Sequence, residues 1–254
     1  MLTPAGQLLL ERARRVLQEV EDIKGELRAL SSSEQETLAL GLTPSIMLQI
    51  GADLLIKAKD VIPTVSLSLV EELSYGLVQA LERGEVSIAF AYGLDEHHPG
   101  MERRPILEEE LLFVRPATGN PLPDSLTLAD ALQHELVQAG KRDMVQRLLK
   151  TAAEKFALPL HIVYEAQSIP AMRTLVVRGA AASFMPYGTA IEELRAGKLI
   201  AQRISDFPLR RTLYLIRQSK GPTFRNEPAI DHFLARVADG LMTSLGPLAR
   251  RIST

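Results

Sequence analysis

Short apolar runs that suit β-strands alternate with amphipathic helical segments over most of this sequence, and no other feature constrains the fold as strongly. The alternation begins at residue 36, where ETLALGL has the pattern of a strand and the segment from Pro44 to about Val61 has that of a helix. Strands that alternate with helices of about 10 to 15 residues indicate βαβ units. The sequence therefore predicts an α/β fold with mostly parallel strands.

The other predicted elements continue this alternation to the end of the chain. Further strands are predicted at 65–71, 85–92, the end of 105–116, 134–140, 158–166, 180–186, 198–204 and 211–217. Further helices are predicted at 73–84, 126–132, 143–156, 168–179, 188–197 and 229–245.

A cluster of Pro, Gly and Asn at residues 116–121 separates these elements into two blocks. Such clusters mark exposed connections between compact units. We predict two Rossmann-like lobes with a cleft between them. The first lobe comprises residues 34–117 and is completed by 206–254, and the second comprises 118–205.

Residues 1–33 differ from the rest, because their apolar residues repeat at alternating spacings of four and three. A period of 3.5 residues is typical of a helix seam that packs against another helix. We predict a helix from Pro4 to Leu30, about 40 Å long, that dimerises through this seam; the alternative is a helix packed on its own domain. The seam residues are Leu9, Ala13, Val16, Val20, Ile23, Leu27 and Leu30.

Composition excludes several classes of function. The 254 residues contain no Cys, which excludes disulfides, thiolate metal sites and cysteine nucleophiles. With 29 Lys and Arg against 31 Asp and Glu, the chain lacks the basic surplus typical of nucleic-acid or membrane binding. No apolar run is long enough to span a membrane, and no glycine pattern of phosphate loops or hydrolase elbows is present.

Acidic and histidine clusters give little support for metal or acid–base chemistry. Residues 95–98 carry metal-ligand types, but adjacent residues do not usually converge on one ion, so we predict a solvated loop. Glu108, Glu109 and Glu110 are predicted to form a solvated rim, because neighbours on a strand point to opposite faces. We expect no metal, no cofactor and no catalytic residues.

Two strand-to-helix junctions carry hydroxyl groups beside a proline-initiated helix. The first is formed by Thr43, Pro44 and Ser45, and the second by Gln167, Ser168 and Ile169. Ligands of open α/β sheets bind beyond the carboxyl ends of the strands, where unpaired N–H groups and the helix dipole favour a small anion. The alternative is that these hydroxyls only cap their helices.

Two further places complete the candidate binding site. Leu73 and Ser74 begin another helix after a strand and add a third hydroxyl. Lys141 and Arg142 follow a strand end and could form a cationic clamp, since Arg binds carboxylates with two hydrogen bonds. The alternative for this pair is a solvated charged loop.

The segment LTPAGQLLLERARRVLQEVEDIKGEL resembles the linker helix of LysR-type transcriptional regulators, which commonly begins Leu-Thr-x-Ala-Gly. IPTVSLSLVEELSYGLVQALERGEVSIAF and EAQSIPAMRTLVVRGAAASFMP resemble the effector-sensing domain of that family. The first of these is most similar to regulators of the nitrogen-assimilation-control type. The resemblance implies a two-lobed fold of the type II periplasmic-binding-protein kind, and effector contacts at the junction residues named above.

By this resemblance, the chain is the ligand-sensing and oligomerising part of a cytoplasmic bacterial regulator. Its partners would be a small, anionic metabolite and one or three further copies of itself. Contact with DNA would require the N-terminal winged helix-turn-helix that precedes the linker helix in the family. Two alternatives remain, a solute-binding module of a transport system and a small α/β enzyme.

Overall fold

The structure of the protein is a computed structural model that describes residues 3–30, 36–93, 98–119 and 122–252. The helices are α1 (Pro4–Leu30), α2 (Pro44–Val61), α3 (Ser74–Glu82), α4 (Leu128–Leu132), α5 (Met144–Lys155), α6 (Ile169–Val177), α7 (Tyr187–Arg195) and α8 (Glu227–Leu245). The strands are β1 (Glu36–Leu42), β2 (Val65–Glu71), β3 (Ile88–Tyr92), β4 (Met101–Glu110), β5 (Leu112–Pro116), β6 (Ser125–Leu126), β7 (Leu136–Gln138), β8 (Ile162–Glu165), β9 (Ser183–Met185), β10 (Leu199–Ile204), β11 (Arg210–Gln218) and β12 (Ala249–Arg251).

The strands form two main sheets, which confirms the α/β class. One sheet has the order β12-β4-β11-β3-β1-β2 and the other the order β6-β10-β5-β9, while the parallel pair β7-β8 joins the second through a bridge between Leu136 and Ala182. The expectation of mostly parallel strands is wrong. Strands β1, β2 and β3 are parallel, but β11, β4 and β12 are antiparallel to their neighbours, as β5 is to β10 and β9.

The chain passes between the sheets at two places. Strand β4 of the first sheet is followed after Leu111 by β5, which pairs with β9 and β10 of the second sheet. The chain returns between β10 and β11, at residues 205–209. Strand pairing therefore puts the first crossing at Leu111, before the predicted lobe boundary at 117, because the Pro–Gly cluster follows β5 instead of preceding it.

Alternating side chains build a separate core around each sheet. In β1, Leu38, Leu40 and Leu42 are fully buried and pack against α8, whose buried residues recur at helical spacing. These residues of α8 are Ile230, Phe233, Leu234, Val237, Leu241 and Leu245. In the second sheet β5 is buried on both faces, so that Phe113 belongs to one apolar cluster and Leu112 to another.

Helix α1 has the bounds that the heptad pattern predicts. Thr3 caps it, since its Oγ1 accepts a hydrogen bond from the backbone N–H of Gly6 at 3.1 Å. The described seam side chains are exposed, and the large ones range from 42% for Val20 to 70% for Leu9. The side chains of Leu27 and Leu30 lie outside the description, and dimerisation through the seam stays a prediction. Among the described helices, α1 included, none combines the length and the apolar character that crossing a bilayer requires.

Candidate functional site

A cleft cavity lies between the two sheets, where the N-termini of several helices meet. The first lobe contributes Thr43, Pro44, Ser45, Leu73, Ser74 and Arg211. The second lobe contributes Gln138, Ala139, Asp143, Val145, Ile169, Met172, Phe184, Met185, Pro186 and Thr189. The cavity has a volume of about 40 Å³, which holds only a few water-sized groups at roughly 10–15 Å³ each.

The first junction presents two buried hydroxyls to this cavity. Thr43 and Ser45 are 4% and 3% exposed, and their hydroxyl oxygens lie 3.4 Å apart. Pro44 occupies the first turn of α2, where its missing N–H costs nothing. The Thr43 side chain accepts no capping hydrogen bond from α2. The capping alternative therefore does not account for Thr43, whose hydroxyl pairs with that of Ser45 at the wall of the cavity.

Ser45 is held by a buried ion pair. Arg211 Nη2 donates hydrogen bonds to Ser45 Oγ at 2.9 Å and to Glu109 Oε2 at 2.7 Å, and Arg211 Nε donates to the same Oε2 at 2.9 Å. Glu109 is fully buried and Arg211 is 8% exposed. The guanidinium carbon also lies 3.4 Å from the centroid of the Tyr92 ring. Charge, hydroxyl and aromatic ring thus form one cluster at the wall of the cleft.

The solvated rim predicted for Glu108–Glu110 is therefore wrong for two of its residues. Glu110 is 1% exposed and accepts hydrogen bonds from Arg203 at 2.7 and 2.9 Å. The consecutive residues Glu109 and Glu110 point to opposite faces of β4 and are both buried, so both faces of the strand are covered near this end. Only Glu108 is partly exposed, paired with Arg250.

Within the described part of the chain, two polar atoms of the cluster are buried without a hydrogen-bond partner, namely Glu109 Oε1 and Tyr92 Oη. A buried polar atom without a partner costs about 1–3 kcal/mol. Burial, and then the nearby charge of Glu109, raises the pKa of Tyr92 well above 10.0, so the phenol stays neutral. Burial alone would lower the pKa of Arg211, but Glu109 raises it above its ordinary value. The cluster thus retains unused hydrogen-bonding capacity.

Asp143 faces this cluster from the second lobe. It precedes α5, and its carboxylate accepts a hydrogen bond from the Val145 N–H at 2.9 Å. Burial raises the pKa of Asp143 above its ordinary value, although Val145 and the charge of Arg211 oppose the shift. Because Glu109 already balances Arg211, the cleft cavity itself is not cationic.

Six of the ten predicted binding residues line the cleft cavity and four do not. The six are Thr43, Pro44, Ser45, Leu73, Ser74 and Ile169. Gln167 and Ser168 are exposed, and Ser168 Oγ accepts from the Ala171 N–H at 3.4 Å, as the capping alternative predicts. Lys141 is exposed and lines neither this cavity nor the next.

Arg142 lines a second, larger cavity at the mouth of the cleft, between α3 and the beginning of α5. This mouth cavity has a volume of about 420 Å³ and shares Ser74 and Asp143 with the cleft cavity. The Arg142 guanidinium lies over the ring of Tyr75, 4.3 Å from its centroid. The other lining residues are Val78, Gln79, Glu82, Tyr92, Gly93, His98, Met144 and Arg147.

Sequence reasoning missed Arg211, Glu109 and Asp143 as cleft residues. The available signal was a charged residue within an apolar strand, such as Glu109 in PILEEELLF or Arg211 at the start of RTLYLIR. Such residues are rarely buried unless they are paired. The partners in this ion pair stand 102 positions apart in the chain, so that no local pattern shows the pairing.

Comparison with known proteins gives one family match. The model of the family described as LysR substrate binding domain matches residues 31–241. The HTH-type transcriptional regulator BbuR of Bordetella bronchiseptica is 30% identical over 240 residues, which are 92% of this chain and 72% of that protein. The HTH-type transcriptional regulator GltR of Bacillus subtilis is 25% identical over 239 residues, 94% of this chain and 78% of that protein.

Solved structures share the fold over nearly the whole chain. A mutant of Corynebacterium glutamicum OxyR superposes with a TM-score of 0.70 at 20% identity, over 96% of this chain and 77% of that one. Full-length CbnR in complex with its target DNA superposes with a TM-score of 0.66 at 21% identity, over 94% of this chain and 82% of that one. These similarities extend through α1 and both lobes.

Proposed function

The chain belongs to the LysR substrate-binding-domain family, which comprises transcriptional regulators and not enzymes, and from this premise we propose that a small effector binds between its two lobes. One observation carries the proposal. Buried hydroxyls of Thr43 and Ser45, an ion-paired arginine and the acid Asp143 converge on one cavity from both lobes. A ligand that contacts both lobes can bias their relative orientation.

Packing between the lobes couples Ser45 to that orientation. Helix α7 of the second lobe contacts α2 of the first, and a Cβ on Gly188 would lie 2.3 Å from the backbone oxygen of Ser45. Because the cleft cavity is small, binding of a metabolite requires the lobes or their side chains to shift. An effector moves this equilibrium only if its affinity differs between the two arrangements.

We further propose that α1 pairs two copies of the chain. Its described seam residues are apolar and exposed, which favours a partner helix. In an intact regulator such a helix would connect the effector domain to a winged helix-turn-helix that contacts DNA. We expect the protein to act in the cytoplasm, where the DNA is.

A ligand screen tests the binding proposal. Differential scanning fluorimetry against a panel of small mono- and dicarboxylates, amino acids and phosphorylated metabolites should find a compound that raises the Tm. Thr43→Val should then weaken binding of that compound in calorimetry, because it removes a cleft hydroxyl with little change of shape. The matched control is Thr243→Val at an exposed position of α8, where the Thr243 hydroxyl donates a hydrogen bond to the Asp239 carbonyl, away from the cleft cavity. The proposal would be contradicted if Thr43→Val and Thr243→Val bound the compound with equal affinity. Chemical conversion of the compound by the protein would also contradict it.

A further inference from the structure

A buried carboxylate lies where the chain first passes from one lobe to the other. Glu110 is the last residue of β4, and Leu111, which follows it, belongs to a core cluster of the second lobe. The Leu111 N–H donates a hydrogen bond at 2.8 Å to the carbonyl of Leu209, the last residue of the return crossing, which lies in the same cluster. The two crossings are thus joined on the side of the second lobe. A rotation of the lobes would therefore bend the chain beside Glu110.

Two arginines from different lobes approach this carboxylate. Arg203 of β10, in the second lobe, donates hydrogen bonds from Nε to Glu110 Oε1 at 2.9 Å and from Nη2 to Glu110 Oε2 at 2.7 Å. Arg210 of β11, in the first lobe, pairs with Glu110 in the strand register, and its Nη2 lies 3.6 Å from the same Oε2. The close, two-pronged ion pair therefore connects the lobes, whereas the longer contact stays within the first lobe.

Burial differs sharply between the acid and its two partners. The Glu110 side chain is 2% exposed, whereas that of Arg203 is 48% and that of Arg210 is 41% exposed. A buried carboxylate that loses its partner is left uncompensated, but a released guanidinium near the surface can be hydrated. Arg210 keeps a positive charge beside Glu110 if Arg203 moves away. The pair between the lobes can therefore open without leaving a buried charge unbalanced.

We propose that Glu110 is a partner-exchange switch at the hinge between the lobes. In the present arrangement its carboxylate binds Arg203 and holds the lobes together. In a second arrangement, rotated about the two crossings, it binds Arg210 alone. None of the three residues lines the cleft cavity or the mouth cavity, so the switch goes beyond the proposed function and operates without an effector. An effector would act on this equilibrium through its different affinity for the two arrangements.

Distances between spin labels in the two lobes test the switch. The chain contains no Cys, so labels attach only where a Cys is introduced. Lys59→Cys on α2 and Thr151→Cys on α5 place one label on each lobe at exposed positions. Pulsed electron–electron double resonance is recorded without ligand, on labelled chain diluted into unlabelled chain, so that distances within one chain are measured.

The two arginine variants should change the distance distribution in opposite ways. Arg203→Ala removes the pair between the lobes, so the mean distance should move away from the parent value, and Arg203→Lys should move it less. Arg210→Ala removes the alternative partner, so the distribution should become narrower around the parent value. A merely structural role of the cluster would not separate the two variants in this way.

Unfolding in urea provides a second readout. Arg203→Ala combined with Arg210→Ala should lower the urea midpoint by more than the sum of the two single variants, because the double variant removes both counter-charges of Glu110. The matched control is Arg83→Ala. Arg83 also forms a two-pronged pair, with Glu85 at 2.6 and 2.8 Å, but at an exposed position within the first lobe. This variant should leave the label distances unchanged.

Three results would overturn the switch. They are parent distances in Arg203→Ala, a shift of the same sign in Arg203→Ala and Arg210→Ala, and urea midpoints that add in the double variant. Because these measurements use no ligand, such a result would leave effector binding in the cleft standing. A ligand screen without a hit would, in turn, leave the switch standing.

Discussion

Arg211 donates two hydrogen bonds to a single carboxylate oxygen of Glu109, from Nη2 at 2.7 Å and from Nε at 2.9 Å. The other oxygen, Glu109 Oε1, has no hydrogen-bond partner among the described residues, and Arg211 Nη2 also donates to Ser45 Oγ. The ion pair therefore holds the first junction of the cleft in place. It also balances the charge of the arginine within the cleft.

Removing one partner of this pair should strongly destabilise the protein. Glu109→Gln leaves the Arg211 charge buried and uncompensated, which costs about 3–5 kcal/mol in the free energy of unfolding. Urea denaturation followed by circular dichroism measures the loss. The double variant Glu109→Leu with Arg211→Met should recover most of it, since no charge is then buried.

The surface pair of Glu108 and Arg250 provides the control for that prediction. Glu108 lies beside Glu109 on β4 and its partner Arg250 lies on β12, but the Arg250 side chain is 67% exposed. Arg250→Ala should change the unfolding free energy by no more than about 1 kcal/mol. If Glu109→Gln and Arg250→Ala lowered the free energy of unfolding equally, burial of the pair of Glu109 and Arg211 would not explain the cost of removing one partner.

Gly188→Ala should disturb the contact between the lobes. The added Cβ would lie 2.1 Å from Gln49 Nε2 and 2.3 Å from the backbone oxygen of Ser45, distances that force α7 away from α2. Small-angle X-ray scattering should detect an increase in the radius of gyration, and binding of any effector found in the screen should weaken.

Gly240→Ala is the matched control for this substitution. Gly240 lies within α8, and apart from its chain neighbours and the backbone of the helix itself, no heavy atom of the described residues lies within 4 Å of the position that a Cβ would take. Alanine is the better helix former, so this variant should be more stable by about 0.5–1 kcal/mol with an unchanged scattering profile. A wild-type profile for Gly188→Ala would contradict the proposed role of the contact.

The fold could be predicted where local signals determine it. Helix α2 has the predicted bounds because Pro44 fixes its beginning and a periodic apolar face continues to Val61. Strand β12 was missed, since its sequence Ala-Arg-Arg has no strand pattern and it forms only by pairing with β4. Strand β4 was missed as well, because it is highly charged and contains Pro105, a residue uncommon within strands, and the strand predicted at the end of 105–116 corresponds to β5.

The site could be predicted in part for the same reason. Thr43, Ser45 and Ser74 lie at junctions between consecutive elements, so that strand-end geometry alone places them at the cleft. Arg211 reaches the cleft only because β11 returns from the second lobe to pair with β3 and β4. Long-range pairing of this kind has no signature within a window of neighbouring residues.

Charged residues in the α1 seam should abolish the predicted dimer. Val16→Lys with Ile23→Lys places positive charges on the exposed apolar stripe, where a paired helix would bury them. Sedimentation velocity should show a lower mass than for the parent chain, and removal of residues 1–30 should have the same effect. Arg12→Ala, outside the seam on the same helix, is the control and should leave the mass unchanged. An unchanged mass in the seam variant would contradict dimerisation through α1.

Asp143→Asn should change how stability depends on pH. The pKa of Asp143 is raised above its ordinary value of 3.8, so the folded chain binds more protons than the unfolded chain between these two values. The contribution of Asp143 to the free energy of unfolding therefore falls as pH rises through that window. Above the window, the full penalty for burying the charged carboxylate applies. The asparagine side chain of the variant would keep an acceptor for the Val145 N–H without the buried charge.

The difference in unfolding free energy between Asp143→Asn and the parent chain should therefore grow in favour of the variant as pH rises above 3.8. Urea titrations from about pH 3 to pH 7 measure it. Glu85→Gln is the control of opposite sign, because the hydrogen bond from Arg83 lowers the pKa of Glu85 at an exposed position. That variant should lose a little stability over the same range. A difference for Asp143→Asn that is constant with pH would show that burial does not penalise the Asp143 carboxylate.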